Sequence, residues 1–329
     1  MNSWLVTGSA GFIGSHLLEA LLRFDQRVAS VDDFSTGHRS NLEEVSRSVG
    51  ARAWQRHRFV EGSIADPEVC REACRGADIV LHQAARGSVP RSIEDPLATH
   101  RANVDGFVNL LVAARDAGVR RFVYASSSSV YGDDETLPKR EGAIGRPLSP
   151  YAASKQMNEI YAGVFARCYG MEIVGLRYFN VFGARQDPQG AYAAVIPRWV
   201  RAALTGEPVE INGDGETSRD FCYVANVVQA NLRAAQTNNA QALGRVYNIA
   251  VGESTSLKTL LELICAALGR QAIQRLHRPF RAGDIRHSHA DISLARDLLD
   301  YRPSHRLASG IREALPWYVN RFSTAATVA

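Results

Sequence analysis

An α/β protein built on a doubly wound parallel sheet, with a second, smaller mixed α/β domain, is the fold class this sequence predicts. Three observations predict it. Short apolar strands alternate with helix-period stretches through the first half, and three glycines at three-residue spacing follow the first strand and open the first helix. After Arg177 the rhythm breaks into longer loops with scattered strands and helices. Length agrees, since 329 residues exceed one small core and fall short of more than about three domains.

In chain order, strands are expected at 3–7, 27–31, 57–60, 78–82, 121–125 and 172–176, with helices at about 12–24, 66–75, 96–118 and 151–169. Leu17, Leu18, Leu21 and Leu22 mark the buried face of the first helix, because residues three and four apart share one side. Farther on, isolated strands are expected at 209–211 and 246–249, and helices near 192–205, 224–236, 256–268 and 306–320. No Pro/Gly/Ser-rich tract separates the halves, so the chain is expected to cross between domains more than once. Residues 1–176 are assigned to the first domain and 177–329 mainly to the second, with segments at about 224–250 returning to the first.

Composition narrows the function classes. Hydrophobic residues at 46% and charged residues at 22% suit a soluble chain with a sizeable core. The net charge of +4, from 38 basic and 34 acidic residues, is spread along the chain; it argues against nucleic acid and is compatible with a small anionic substrate. Five cysteines, none in a CxxC pair, argue against a disulfide framework or a zinc site, and no metal is expected; Cys70 and Cys74, four apart, read as packing residues. With no leader and no run of about 18 apolar residues, no membrane association is expected and the cytoplasm is the expected address.

The first chemical motif is Thr7-Gly8-Ser9-Ala10-Gly11-Phe12-Ile13-Gly14, directly after the first strand. Glycines there permit a tight turn, let the backbone approach a pyrophosphate at the helix N-terminus, and let the helix pack on the strand. Asp32, at the end of the second strand, can accept hydrogen bonds from both ribose hydroxyls and would repel a 2′-phosphate, which selects NAD over NADP; a turn capped by Asp32 and Asp33 is the alternative. Ser35, Thr36 and Gly37 follow in the same loop and can add ribose or phosphate contacts.

The second motif is Tyr151-Ala-Ala-Ser-Lys155, at the start of a helix announced by Ser149-Pro150. A spacing of four puts both side chains on one helix face, where an ammonium favours the phenolate and lets the tyrosine act as a base. Ser126, Ser127, Ser128 and Ser129 lie just after the fifth strand, at the carboxyl edge of the sheet where ligands of such folds bind.

In this order the motifs resemble the extended short-chain dehydrogenase/reductase family, a Rossmann-type fold, over nearly the whole chain. Asn103 in Asn-Val-Asp-Gly, Leu-Arg-Tyr-Phe-Asn-Val-Phe-Gly at 176–183 and Thr217-Ser218-Arg219-Asp220-Phe221 fit its nucleotide-sugar members. The segments 85–91, 145–151, 185–197 and 211–216 resemble bacterial UDP-N-acetylhexosamine 4-epimerases. The resemblance implies Ser127, Tyr151 and Lys155 as catalytic residues. It implies NAD held by Gly8, Gly11, Phe12, Ile13, Gly14, Asp32, Asp33, Ser35, Thr36, Gly37, Ser63, Ile64, Gln83, Ala84, Ala85, Asn103, Tyr151, Lys155 and Tyr178. The UDP-sugar would be held by Gly87, Ser88, Ser127, Ser128, Ser129, Asn180, Ala194, Val195, Asn212, Arg219, Arg281, Asp284 and Ser288, the two arginines facing the nucleotide. Small Gly87 and Ser288 would leave room for a 2-acetamido group. The implied reaction oxidises C4 of the sugar, turns the 4-keto sugar over and reduces it on the other face, and the implied assembly is a homodimer through the helices at 96–118 and 151–169.

Two departures stand out. Ser63 replaces an aspartate usual in the family next to the adenine, and Arg86 replaces an apolar residue, where it either faces solvent or reaches a substrate carboxylate. A UDP-N-acetylglucosaminuronate 4-epimerase is therefore the competing reading. Sugar 4,6-dehydratases need an acid pair where Ser128 and Ser129 stand. A dinucleotide-binding regulatory module, the alternative from another class, has no use for the Tyr151–Lys155 pair.

Overall fold

The computed structural model describes residues 2–187, 194–270, 273–280 and 285–326. The first half runs β1 (Ser3–Thr7), α1 (Phe12–Arg23), β2 (Arg27–Asp32), α2 (Arg39–Val49), β3 (His57–Glu61), α3 (Pro67–Cys74), β4 (Ile79–His82), α4 (Gly106–Asp116), β5 (Arg121–Ser127), α5 (Pro150–Tyr169) and β6 (Glu172–Tyr178). After it come α6 (Val195–Thr205), α7 (Val224–Gln236), β7 (Arg245–Ile249), α8 (Leu257–Ala267) and α9 (Leu307–Ala326). Seven strands form one parallel sheet in the order β7-β6-β5-β4-β1-β2-β3. The strand order reverses between β1 and β4, and ligands of open α/β sheets bind at the carboxyl ends beside such a reversal.

Strand alternation builds two cores from one sheet. Trp4, Val6, Val28, Val123 and Val174 meet Leu17, Leu18, Leu21 and Leu22 of α1 and Val227, Ala230 and Ala234 of α7. Leu5, Val31, Val80, Phe122 and Tyr124 meet Cys70, Ala73 and Cys74 of α3, Phe107, Leu110 and Leu111 of α4, and Ala162 and Phe165 of α5. The two cysteines are fully buried, and burial pushes both thiols up to about 12, so they are packing residues. A third core joins Trp199 and Val200 of α6, Val209, Ile211, Phe221, Leu260, Leu261 and Ile264 of α8, and Ile311 and Tyr318 of α9.

Several sequence expectations change. The stretch at 96–118 is not one α-helix: Pro96–His100 leads into a π turn over Arg101–Asp105 and then into α4. The apolar positions on either side keep helical spacing, which conceals the extra residue. The strand at 246–249 is not isolated, because β7 pairs with β6 as the last strand of the sheet, with α7 as the crossover. Helix α2 is not expected from the sequence; Asn41, Leu42 and Val45 form its buried face. In the second half Val209–Asn212 pairs in parallel with Arg275–Arg278, and Ser218–Arg219 lies between Thr255–Ser256 and His287–Ser288.

Candidate active site

At the carboxyl edge of the sheet lies an elongated cleft of about 560 Å³. One end is the turn between β1 and α1. Gly8 has φ +68, and a Cβ on Gly8 would come 2.7 Å from Ala84 N; a Cβ on Gly14 would come 2.0 Å from the Gly8 carbonyl oxygen. Gly11 stands at the N-cap of α1 with no capping side chain, so the first N–H groups of the helix are available to an anion. Asp32 accepts from Ala10 N at 2.9 Å and Phe34 N at 2.8 Å, and burial raises its carboxyl pKa against those two donors. Each oxygen keeps a lone pair for a ribose hydroxyl. At Asp33 burial acts upward, but the Ser35 hydroxyl and N–H and the Ser63 hydroxyl outweigh it and lower the pKa. Ser63 thus carries no charge of its own and instead holds the adjacent carboxylate. These residues fit an NAD molecule laid across the turn.

The middle of the cleft is set by β4 and β6. Gln83 N and Ala84 N each donate to Thr7 Oγ1 at 3.1 Å, so the Thr7 hydroxyl proton is left for His82 Nδ1, 2.8 Å away. Burial, aided by the Lys155 charge, drops His82 to about 3 and keeps it neutral. The Tyr178 hydroxyl donates to Gln83 Oε1 at 3.0 Å and accepts from Asn231 Nδ2 at 2.8 Å, while Gln83 Nε2 donates to Asn231 Oδ1 at 3.1 Å. This triangle fixes the Tyr178 ring on the cleft wall; Asn231, on α7, gave no signal in the sequence because only the tertiary fold brings it here.

At the far end stand the reactive groups. Strand β5 ends at Ser127, whose Oγ accepts from Ser129 N at 3.1 Å and also hydrogen-bonds Tyr151. Helix α5 is capped by Ser149, which accepts from Ala152 N, with Pro150 in its first turn. Lys155 donates to the Ala125 carbonyl at 2.8 Å, and its Nζ lies 6.0 Å from the Tyr151 ring centroid. Burial raises the Tyr151 pKa and the Ser127 hydrogen bond offsets this in part. Lys155 itself is pulled down to about 8 by burial, against the opposing pull of Glu159. An oxidised nicotinamide beside Tyr151 would add a positive charge that favours the phenolate.

Most of the expected cofactor residues line this one cleft: Gly8, Gly11, Phe12, Ile13, Gly14, Asp32, Asp33, Ser35, Thr36, Ser63, Ile64, Gln83, Ala84, Ala85, Tyr151, Lys155 and Tyr178. Of the residues expected to hold the UDP-sugar, Gly87, Ser88, Ser127, Asn180 and Ala194 line the same cleft. Other expected residues stand off the wall. Gly37 packs behind it against Ala10. Asn103 bridges structure: its Oδ1 accepts from Arg86 N at 2.8 Å, and its Nδ2 donates to Ser154 Oγ at 3.0 Å. Ser128 and Ser129 lie in a single 3₁₀ turn after β5, where the Ser129 hydroxyl accepts from Ser127 Oγ at 3.2 Å, and Val195 begins α6 next to Ala194. Asn212 sits in a strand pair, and the Arg219 guanidinium donates to the Ser218 and Arg286 carbonyls, next to Ser288 in register. Arg281 and Asp284 lie outside the described residues. Sequence reasoning missed Arg91, Ala102, Gln186 and Asp187 on the wall. Arg86 lines the cleft half-buried, and its Nε is enclosed with no hydrogen-bond partner, so it does not simply face solvent.

Comparison with known proteins agrees with this geometry. Residues 4–250 match the model of the NAD dependent epimerase/dehydratase family. The UDP-glucose 4-epimerase of Mycolicibacterium smegmatis is 36% identical over 319 residues, covering 96% of this chain and 98% of that one. The structure of a UDP-N-acetylglucosamine 4-epimerase from Methanobrevibacter ruminantium, in complex with UDP-N-acetylmuramic acid, is 36% identical with a TM-score of 0.89, covering 97% of this chain and 99% of that one. That of the Thermus thermophilus UDP-glucose 4-epimerase in complex with NAD is 34% identical with a TM-score of 0.84, covering 96% and 99%.

Proposed function

The chain belongs to the NAD-dependent epimerase/dehydratase family, and from that premise we propose that it interconverts UDP-N-acetylglucosamine and UDP-N-acetylgalactosamine by inverting C4. The coarser reading, an NAD-dependent UDP-sugar 4-epimerase, follows from relatives that match nearly end to end. The observation that carries the finer one is the open wall at Gly87, where a Cβ would meet nothing within 4 Å. That space suits a 2-acetamido group.

The chain's residues divide the work. Gly8, Gly14, Asp32 and Tyr178 line the cleft and would hold the dinucleotide, and the uncapped N–H groups at the start of α1 would meet its pyrophosphate. NAD, when bound, supplies the electron-pair acceptor and donor at C4 of the sugar. Tyr151 as phenolate takes the proton of the 4-hydroxyl and returns it after the 4-keto sugar has turned over. Ser127, hydrogen-bonded to Tyr151, lies within reach of the same oxygen. Lys155 stabilises the phenolate form. Because C4 is oxidised and then reduced, the reaction consumes no net cofactor.

A second reading, a UDP-N-acetylglucosaminuronate 4-epimerase, is favoured by the enclosed, unpaired Nε of Arg86 on the cleft wall. Proton NMR of the protein, without added NAD, in parallel with UDP-N-acetylglucosamine, UDP-glucose and UDP-N-acetylglucosaminuronate decides between them. The galacto isomer from the first substrate is the expected result; turnover of the uronate alone would transfer the assignment to the second reading.

The proposed assembly is a homodimer. Its support is an exposed apolar stripe on α5, formed by Met157, Ile160, Tyr161 and Val164 at helical spacing and extended by Ile93 and Leu97. Ile160→Glu should halve the mass seen by sedimentation; an unchanged mass removes this face from the interface.

A further inference from the structure

Behind the catalytic residues lies a buried ionic cluster to which the reaction above assigns no task. Glu159 stands one helical turn after Lys155 on α5. Its Oε1 accepts from Ser126 Oγ at 2.5 Å and Arg177 Nε at 2.9 Å, and its Oε2 accepts from Arg177 Nη2 at 2.8 Å. The Arg177 and Glu159 side chains are 2% and 12% exposed. On its other side Arg177 donates to the Glu141 carbonyl at 3.0 Å and lies 4.9 Å from the Tyr131 ring centroid. A buried ion pair is a poor source of stability compared with apolar residues of the same volume, so its retention beside a reactive centre points to a task. Each partner of Glu159 belongs to an element that also carries a residue of the cleft wall. Ser126 directly precedes Ser127 on β5, Arg177 directly precedes Tyr178 on β6, and Lys155 shares α5 with Glu159.

We propose that Glu159 is a positioning residue of this centre: its carboxylate ties the ends of β5 and β6 to α5, and its negative charge keeps Lys155 in the ammonium form. The proposal rests on the reaction assigned above and deepens it. Alternate strand residues point to opposite faces, so holding Ser126 and Arg177 from the α5 side aims Ser127 and Tyr178 toward the cleft. The electrostatic part follows from what faces each group. Lys155 meets neutral His82 from β4, Tyr151 on its own helix, and Glu159 at the four-residue spacing that makes helix neighbours. Glu159 in turn meets Arg177 from β6 and the Tyr124 hydroxyl from β5. With burial already pulling Lys155 down, Glu159 is the anion that opposes its deprotonation.

The experiment is the pH profile of turnover for Glu159→Gln, Glu159→Asp and the double variant Glu159→Gln/Arg177→Gln, each purified with its NAD. The double variant leaves no orphaned buried charge and so guards against misfolding of the single one. In Glu159→Gln and the double variant the alkaline limb should move about one pH unit toward acid, while Glu159→Asp should return it to the parent position. A parallel titration of the Tyr151 phenolate by near-ultraviolet absorbance, referenced to Tyr151→Phe and read without substrate, should move toward alkali in the same two variants. Folded variants whose limb and phenolate titration both stay in place would overturn the proposal. If the parent protein turned over no UDP-sugar, the reaction assignment would fall, and the phenolate titration would still decide the role of Glu159.

Discussion

The strand ends of the first half and the irregular segments after β6 build the same cleft by different means. In the first half, functional atoms are set by neighbours one or two residues away and by adjacent strands: Thr7 under Gln83 and Ala84, Asp32 under Ala10 and Phe34, Ser127 beside Tyr151. After β6 the wall is reached by single residues from loops, such as Asn180, whose Nδ2 donates to the Asp220 carbonyl at 3.1 Å, and Ala194. The difference teaches that the strand ends of the first half supply most of the cleft wall, while the second half adds to it from loops.

That contrast predicts a gradient of damage. Tyr151→Phe should lower kcat by about a thousandfold while NAD stays bound, read as turnover by NMR against the cofactor released on denaturation; full activity would break the comparison at its centre. Gly14→Ala should cost about 3 kcal/mol, since its methyl would collide with the Gly8 carbonyl, and should purify without NAD. After β6, Asn180→Ala should raise KM about tenfold with kcat nearly kept; an equal fall in kcat would show that the loops share in catalysis.

The smallest effect concerns pH. His82 falls to about 3 in the folded protein through burial and the Lys155 charge, whereas the unfolded chain titrates near 6.5. Its contribution to stability is therefore complete above 6.5 and is lost as pH falls below that value, by about 1.4 kcal/mol per pH unit. Glu19 belongs to the seam between the halves. Burial acts upward on its carboxyl, but the Ser48 hydroxyl and the buried Arg185 guanidinium overcome it and lower it to about 2, so its contribution is lost only between 4.5 and 2. Urea midpoints measured from pH 7 to 5.5 should decline, and His82→Asn should make the decline shallower without abolishing it, because burial lowers His16 to about 3 and His57 to about 4 as well; a parent curve already flat would mean that these histidines charge in place.

Local spacing made the first half legible. Glycines three apart, an acid at a strand end and a tyrosine four residues from a lysine each state their geometry within a few residues, and α1, α5 and β1 to β5 lie close to where the pattern puts them. Features that depend on distant partners were not legible. Four consecutive serines look alike in sequence, and only the strand sends Ser126 to Glu159 and Ser127 to Tyr151. Asn231 reaches Tyr178 from α7, and Asn103 clasps the Arg86 backbone instead of lining the cleft. Asn212, Arg219 and Ser288, expected to hold the UDP-sugar, lie on short strand pairs whose partners are far apart in the chain, which no local period announces.

The π turn at Arg101–Asp105 gives the helical stretch one residue more than a regular α-helix needs there. Each residue advances an α-helix by about 100°, so that surplus acts as a phase adjuster between two clients. Within the turn, Asn103 is presented to the loop after β4; downstream, Phe107, Leu110 and Leu111 are delivered to the core under the sheet. Deleting a single residue from the turn would satisfy the helix and put its two ends out of step, so that either the amide clasp or the hydrophobic face would look the wrong way. The length of this helix is thus fixed to the residue by two surfaces that never touch each other.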